Sequence, residues 1–409
     1  MNIIADKITF GGNSLGKNDG KNVFIPFAVP GEKLEVEITE QHKDYDIAKI
    51  IKVLEASPKR IQPPCPYYEK CGGCNMMHIE PEFQKKLRSE ILAELFAQKG
   101  IDLLKNGNIN VISGPDYAYR ARFQLTNGGL SQKHSNEIIP IEKCLCAEKN
   151  INDYLQENPF DIRSKAKGRV HLFGSSFMTK PSDVDIVVSE ENEKRSTSPK
   201  IQGDKNSKKY KFKENKHFAG TLYSPQYSIT VNLNEKALSF DVRGFFQSNL
   251  FVFSKVLKLI QSLLPGGKNI LDMYAGCGSI SAFLADKYEN VVLVEHNRDA
   301  LVYAEQNLAG KGHISYGMSG AAWVKNCSAS NPQFDACLID PPRSGMEKEV
   351  CDWLCKSNIP LILSLSCEPS THARDCQSLV KAGYKITKSF LLDFYPNTSH
   401  IESLCVLEK

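Results

Sequence analysis

No stretch of this sequence approaches the roughly 18 consecutive apolar residues that cross a bilayer, which argues against a membrane-spanning helix. The first residues, Met1-Asn-Ile-Ile-Ala-Asp-Lys-Ile, lack a basic region followed by an apolar core. No export signal is therefore expected, and the expected compartment is the cytoplasm. Charge imbalance is also slight: a net +4 is too small to indicate a class of partner. Cysteine, in contrast, is plentiful. Thirteen thiols without a secretory context fit a reducing compartment, where clustered cysteines point to metal binding or catalysis rather than disulfides. At 409 residues the chain has room for two or three domains, each with its own core.

Residues 1 to about 60 read as β structure. Asn22–Val29, Lys33–Thr39 and Asp46–Val53 are short apolar or alternating runs punctuated by Gly11-Gly12, Gly16, Gly20 and Pro30-Gly31. Such a pattern predicts a small barrel of a kind that binds nucleic acids, although nine basic residues are balanced there by nine acidic ones. From Phe83 to Gln98, Leu87, Ile91, Leu92, Leu95 and Phe96 recur at helical spacing, and Gly100 ends the run. Residues 109 to 243 carry little periodicity. Within them, Lys194 to His217 holds nine Lys/Arg against Asp204 and Glu214, with Tyr210 and Phe212 interleaved. Its composition is that of a solvated insertion, and it also suits contact with phosphates and unpaired bases.

Beyond residue 246 the signal sharpens. A helical stretch, Phe251–Leu264, precedes apolar runs starting at Asn269, Val291, Phe334 and Leu361, several separated by helical segments. That alternation predicts an α/β, doubly wound, Rossmann-like parallel sheet, whose ligands bind where strands end. Asp272-Met-Tyr-Ala-Gly276-Cys-Gly278-Ser279 closes the first run, and Glu295 closes the next, placed to bind ribose hydroxyls. This pattern does not separate a dinucleotide from S-adenosylmethionine. A further run ends in Asp340-Pro341-Pro342-Arg343, where proline takes the chain off the ladder and leaves Asp340 at the edge.

Cys367 follows the buried run Leu361–Ser366, so a thiol stands at the same edge and can attack an electron-poor carbon. Taken alone, such a residue is more often a buried structural thiol. Glu402 begins a run expected to alternate, with Ile401 and Val406 buried; a carboxylate near a pocket can have its pKa raised and act as a base. Three further thiols, Cys65-x5-Cys71-x2-Cys74, come together through a Gly-Gly turn, with Cys144 or Cys146 as a distant fourth. Three close cysteines plus one suit an iron–sulfur cluster, with zinc, aided by His78, as the next choice.

In combination, and over nearly the whole chain, these segments resemble the class I S-adenosylmethionine-dependent RNA uracil-C5-methyltransferases of the RumA/TrmA type. The resemblance implies an OB-like TRAM barrel over Gly11 to Ser57 and a [4Fe-4S] cluster on Cys65, Cys71, Cys74 and Cys144. It implies cofactor contacts from Gln247 of Phe245-Phe-Gln-Ser-Asn249 and from Tyr274, Ser279, Glu295 and Asp340. Cys367 matches the nucleophile, Glu402 the base, and Asp340 a positioning group. The implied domains are 1–58 (barrel), 59–243 (central α+β iron–sulfur domain, its helix at about 82–99 docking on the catalytic domain) and 244–409 (methyltransferase). RNA is the implied partner, 23S rRNA first and the T-loop of tRNA second, with no DNA or membrane partner and a monomeric state. The alternative of another class is a non-catalytic iron–sulfur RNA-binding protein. Departures from the family pattern are Cys-Glu-Pro for Cys-Asn-Pro, Asn397 for Gln, Ala275 for Cys and Ser279 for Thr or Asn.

Overall fold

The computed structural model describes residues 1–105, 107–133, 135–166, 168–180, 186–190, 227–330 and 333–409. The lysine-rich segment from Lys194 to His217 lies outside the described residues. Among those described, no helix is long and apolar enough to cross a membrane.

Six strands come first: β1 (Asn2–Ile4), β2 (Lys7–Ile8), β3 (Ser14–Asn18), β4 (Lys21–Ile25), β5 (Lys33–Gln41) and β6 (Tyr45–Glu55). They form one sheet in the order β1-β5-β6-β4-β3-β2. Because β1 pairs with one edge and β2, three residues on, with the other, the sheet curls on itself around Ile3, Val23, Ile25, Leu34 and Val36. Gly16 permits this closure: a Cβ there would meet Ile3 and the Ile4 carbonyl at 2.5 Å.

Helix α1 (Pro81–Ala97) enters on proline and leaves at Gln98, with Gly100 at φ +75°. Its buried face, Leu87, Ile91, Leu92 and Phe96, joins the core of the C-terminal half, where it packs on α9 and β21 described below. Three residues further along, β7 (Asn110–Ile112), pair in parallel with that same half. The central region continues with β8 (Arg122–Thr126), β9 (Leu130–Ser131), β10 (Ile138–Ile139), α2 (Lys149–Glu157), α3 (Phe160–Arg163), β11 (Arg169–Phe173), β12 (Met178–Lys180), β13 (Val187–Glu190), β14 (Ser228–Leu233) and β15 (Lys236–Asp241). These strands make small sheets, β13-β11-β8, β12-β14-β15 and β10-β9. Strands this short carry too little alternation to show as a period.

The C-terminal half alternates α4 (Leu250–Leu263), β16 (Gly267–Met273), α5 (Ser281–Leu284), β17 (Tyr288–Val294), α6 (Arg298–Asn307), β18 (His313–Tyr316), α7 (Gly320–Asn326), β19 (Ala336–Ile339), α8 (Lys348–Lys356), β20 (Leu361–Ser366), α9 (Pro369–Lys381), β21 (Lys385–Leu392) and β22 (Glu402–Glu408). Its sheet runs β18-β17-β16-β19-β20-β22-β21-β7, parallel from β18 to β20, with β22 antiparallel to both neighbours. Two cores cover its faces, one built with α4, α5 and α6 and the other with α1, α7, α8 and α9. Burial on both faces explains one departure from expectation. The β22 run is buried continuously from Ser403 to Leu407 rather than alternating, because it lies between β20 and β21.

Candidate active site

The strand order reverses between β16 and β19, and there the carboxyl ends of the parallel strands open a crevice. Tyr274 follows β16, Glu295 follows β17, Asp340 follows β19 and Cys367 follows β20. Since β22 runs the opposite way, its first residue reaches the same edge. Ser366 pairs with Ser403, so Cys367 and Glu402 face each other one step beyond the last pair.

Gln247, Asp340, Ser366, Glu402 and Ser403 share a small cavity of about 10 Å³ with Phe394 and Leu365. That volume holds a water at most, so a larger ligand must approach from the side on which Cys367 stays half-exposed. The side-chain amide oxygen of Gln247, Oε1, is buried without a hydrogen-bond partner, an acceptor free to take a donor. Burial raises the Asp340 carboxyl to about 6. Burial, then the Asp340 charge, raises Glu402 to about 8, against a lesser pull from Arg343. Cys367 is pushed up to about 11 by burial, then Glu402, then Asp340, and Arg343 again opposes. The Asp340 charge thus acts on Glu402, and both carboxyls act on Cys367, while burial alone sets Asp340.

The glycine turn after β16 is shaped for close backbone approach. Gly276 sits at φ +57° with open space where a Cβ would be. Gly278, at φ +69°, lets α6 pack closely: a Cβ would meet Ala304 and Leu308 at 2.9 Å. Glu295 is fastened beside this turn, one oxygen accepting from the Gly276 N–H at 2.9 Å and the other from Asn297 N at 2.6 Å. Beneath it Ser281 Oγ donates to Asp272, whose carboxyl burial raises to about 7. Tyr274 flanks the turn with its hydroxyl accepting from Glu347 N at 3.2 Å, and Ser279 opposes the rise that burial imposes on the Cys277 thiol.

The segment between β21 and Glu402 is held by side chains that sequence reasoning did not single out. Asn75 and Ser399 are joined twice, Asn75 Nδ2 donating to Ser399 Oγ at 2.9 Å and Ser399 N donating to Asn75 Oδ1 at 2.8 Å. Asn397, at φ +66°, is gripped by Gln84, whose Oε1 accepts from its N–H at 2.9 Å. Arg88 forms a fully buried ion pair with Asp393 at 2.8 Å. In the sequence Arg343 stands out only as the residue after Asp340-Pro341-Pro342, yet its charge bears on both Cys367 and Glu402.

A second site lies on the other flank of that segment. Cys65, Cys71, Cys74, Cys144 and Cys146 all line one cavity of about 500 Å³, together with Tyr67, Tyr68, Met77, Tyr119 and Thr398. His78 is drawn away, its Nδ1 2.6 Å from Tyr68 Oη. Burial raises Cys65 and Cys71, and their neighbours' sulfurs add to the effect. A third grouping, His372, Cys376 and Cys405, is buried behind β20; both ring nitrogens of His372 already face hydroxyls, Ser403 at 2.7 Å and Ser364 at 3.1 Å.

Comparison with known proteins bears on the family and fold that carry this site. A TRAM domain profile matches residues 3–51, a methyltransferase small domain profile 253–354, and a tRNA (uracil-5-)-methyltransferase profile 322–409. An RNA methyltransferase of Treponema denticola is 32% identical, the match covering 98% of each chain. The 23S rRNA (uracil(1939)-C(5))-methyltransferase RlmD of Shewanella amazonensis is 30% identical over 97% of this chain and 93% of its own. The chain belongs to the RNA uracil-C5-methyltransferase family. Among solved structures, the tRNA (uracil-54, C5)-methyltransferase of Pyrococcus abyssi, in complex with S-adenosyl-L-homocysteine, superposes with a TM-score of 0.71 over 100% of both chains at 20% identity. Over its described residues the methyltransferase therefore has this fold.

Proposed function

We propose that this methyltransferase modifies C5 of a specific, flipped-out uridine in ribosomal RNA, 23S rRNA foremost, with Cys367 as nucleophile and Glu402 as base. The observation that carries the reading is the register of β20 and β22, which sets this thiol and this carboxyl opposite each other at the crevice. Uracil C5 is a poor nucleophile until a group adds at C6. Cys367 as thiolate adds there, and the ring's electrons move to C5 and the C4 oxygen. S-adenosylmethionine, when bound, supplies an electrophilic methyl group for C5. Glu402 then takes the C5 proton, and the electrons of that C–H bond expel the Cys367 sulfur, restoring the ring. The orphaned Gln247 oxygen, the open Cβ position of Gly276 and the fastened Glu295 fit such a cofactor, with Tyr274, Ser279 and Asp340 around them. The base must leave its stack to present its face to Cys367.

The cysteine-lined cavity fits an iron–sulfur cluster: its donor set is thiol upon thiol, and it is roomy enough for more than one ion. Cys65, Cys71, Cys74 and Cys144 are the assigned ligands. Methyl transfer moves no net electrons, so the role assigned to the cluster is structural.

Cys367→Ala is expected to reduce methylation to background. Glu402→Gln leaves the adduct without a route to release, so protein and RNA should migrate together on a denaturing gel. A Glu402→Gln protein that turns over normally removes Glu402 from its role. Mapping 5-methyluridine in RNA from cells lacking the gene should show its loss from 23S rRNA; loss from the T-loop of tRNA would overturn the substrate assignment.

A further inference from the structure

Cys146 is the fifth thiol of the cavity and has no place in the four-ligand set. Its sulfur lies 3.7 Å from that of Cys74. The two differ in access: Cys146 is 3% exposed, whereas Cys74 is half-buried on the cavity wall. We propose that Cys146 is an oxidation site, closing a disulfide with Cys74 whenever the cavity is free of metal. This rests on the ligand assignment above, in which Cys74 is a ligand and Cys146 is not.

The access difference sets the order of events. The oxidant is a small disulfide such as oxidised glutathione, too large to reach a buried sulfur. Cys74 gives up its proton and its sulfur attacks the oxidant, breaking the S–S bond and expelling one glutathione thiolate. Cys146 then gives up its proton and attacks the Cys74 sulfur, expelling the second. Two protons and two electrons leave the protein, and one oxidised glutathione becomes two reduced ones. Cys144 also lies against Cys146, but only Leu145 separates them, and so small a ring strains a disulfide. Cys74 has no comparable constraint, being 72 residues away in sequence. Once bridged, Cys74 cannot ligate metal, so the site stays shut until a thiol reductant opens it.

The test uses full-length protein stripped of metal by chelation, incubated with oxidised glutathione, alkylated and mapped by mass spectrometry. The expected product has lost two hydrogens and yields one cross-linked peptide pair, Cys74 with Cys146. Cys146→Ser and Cys146→Ala should instead hold a stable glutathione adduct on Cys74. Reconstituted anaerobically, both variants should carry the wild-type amount of iron and sulfide. A bridge mapped to another pair, or as many disulfides in Cys146→Ser as in wild type, overturns the proposal. So does loss of iron in either variant, which would make Cys146 a ligand. Failure of the wild type to take up iron is a failure of the cluster assignment instead. The mapping, done on metal-free protein, is read separately.

Discussion

Glu402 and Cys367 illustrate how one charge can tune two groups. At about 8, Glu402 is mostly protonated at neutral pH, and in the proposed reaction only its carboxylate form accepts the C5 proton. Cys367, at about 11, is a thiol there, held so partly by its carboxyl neighbours. Both ionisations favour the reaction, so kcat/KM should rise with pH through about 8 and keep rising as Cys367 ionises. Asp340 is the second cause of the Glu402 shift, after burial. Asp340→Asn removes a negative charge, so Glu402 should ionise more readily and the lower inflection should move to lower pH, whatever the loss in rate. A pH–rate series on wild type and Asp340→Asn checks this. An inflection that stays put assigns it to another group.

At the scale of elements, the question is what holds the segment that delivers Glu402. Helix α1 reaches it through Arg88, in a pair with Asp393 where both side chains are almost wholly buried. Removing one partner of such a pair costs roughly 3–5 kcal/mol, because the other charge is stranded. Arg88→Met should therefore lower Tm by several degrees, and Arg88→Met combined with Asp393→Leu should recover most of the loss in thermal melts. Asn75 grips Ser399 and also donates to the Gly11 carbonyl at 3.0 Å. Each bond is worth about 1 kcal/mol net. Asn75→Ala is expected to cut kcat ~10-fold with an unchanged KM for S-adenosylmethionine and unchanged iron content; a fall in iron would place Asn75 with the ligands instead. Strand-edge positions were legible in advance: Cys367, Asp340 and Glu295 each close a strong apolar run, and Gln247 stands in a quotable motif. The links just described were not. Asn75 and Ser399 are 324 residues apart, and polar pairs between distant segments leave no periodic trace. Likewise β18 and β7, four and three residues long at the two sheet edges, are too short to announce themselves.

For the whole molecule, the methyltransferase sheet is completed by residues that precede it by well over a hundred positions. β7 supplies its eighth strand, and α1 covers α9 and β21. Burying Leu87, Ile91, Leu92 and Phe96 contributes roughly 1.5–3 kcal/mol each. The total is comparable with the ~5–15 kcal/mol net stability of an ordinary domain. A fragment spanning 244–409 alone should consequently aggregate or melt without a cooperative transition, as differential scanning calorimetry would show; a soluble, sharply melting fragment would refute the dependence. Expectation and structure agree on the curled N-terminal sheet because its glycine turns are frequent and its strands alternate. The central region gave no element-level expectation, because its pairings are made between short, distant pieces.

Asn75 follows Cys74 directly and fastens Ser399, three positions ahead of Glu402. One step of chain, one side-chain pair and three further positions therefore link the sulfur-lined pocket to Glu402. With Glu402 as the proposed base, loosening that pocket is expected to leave the target uridine bare.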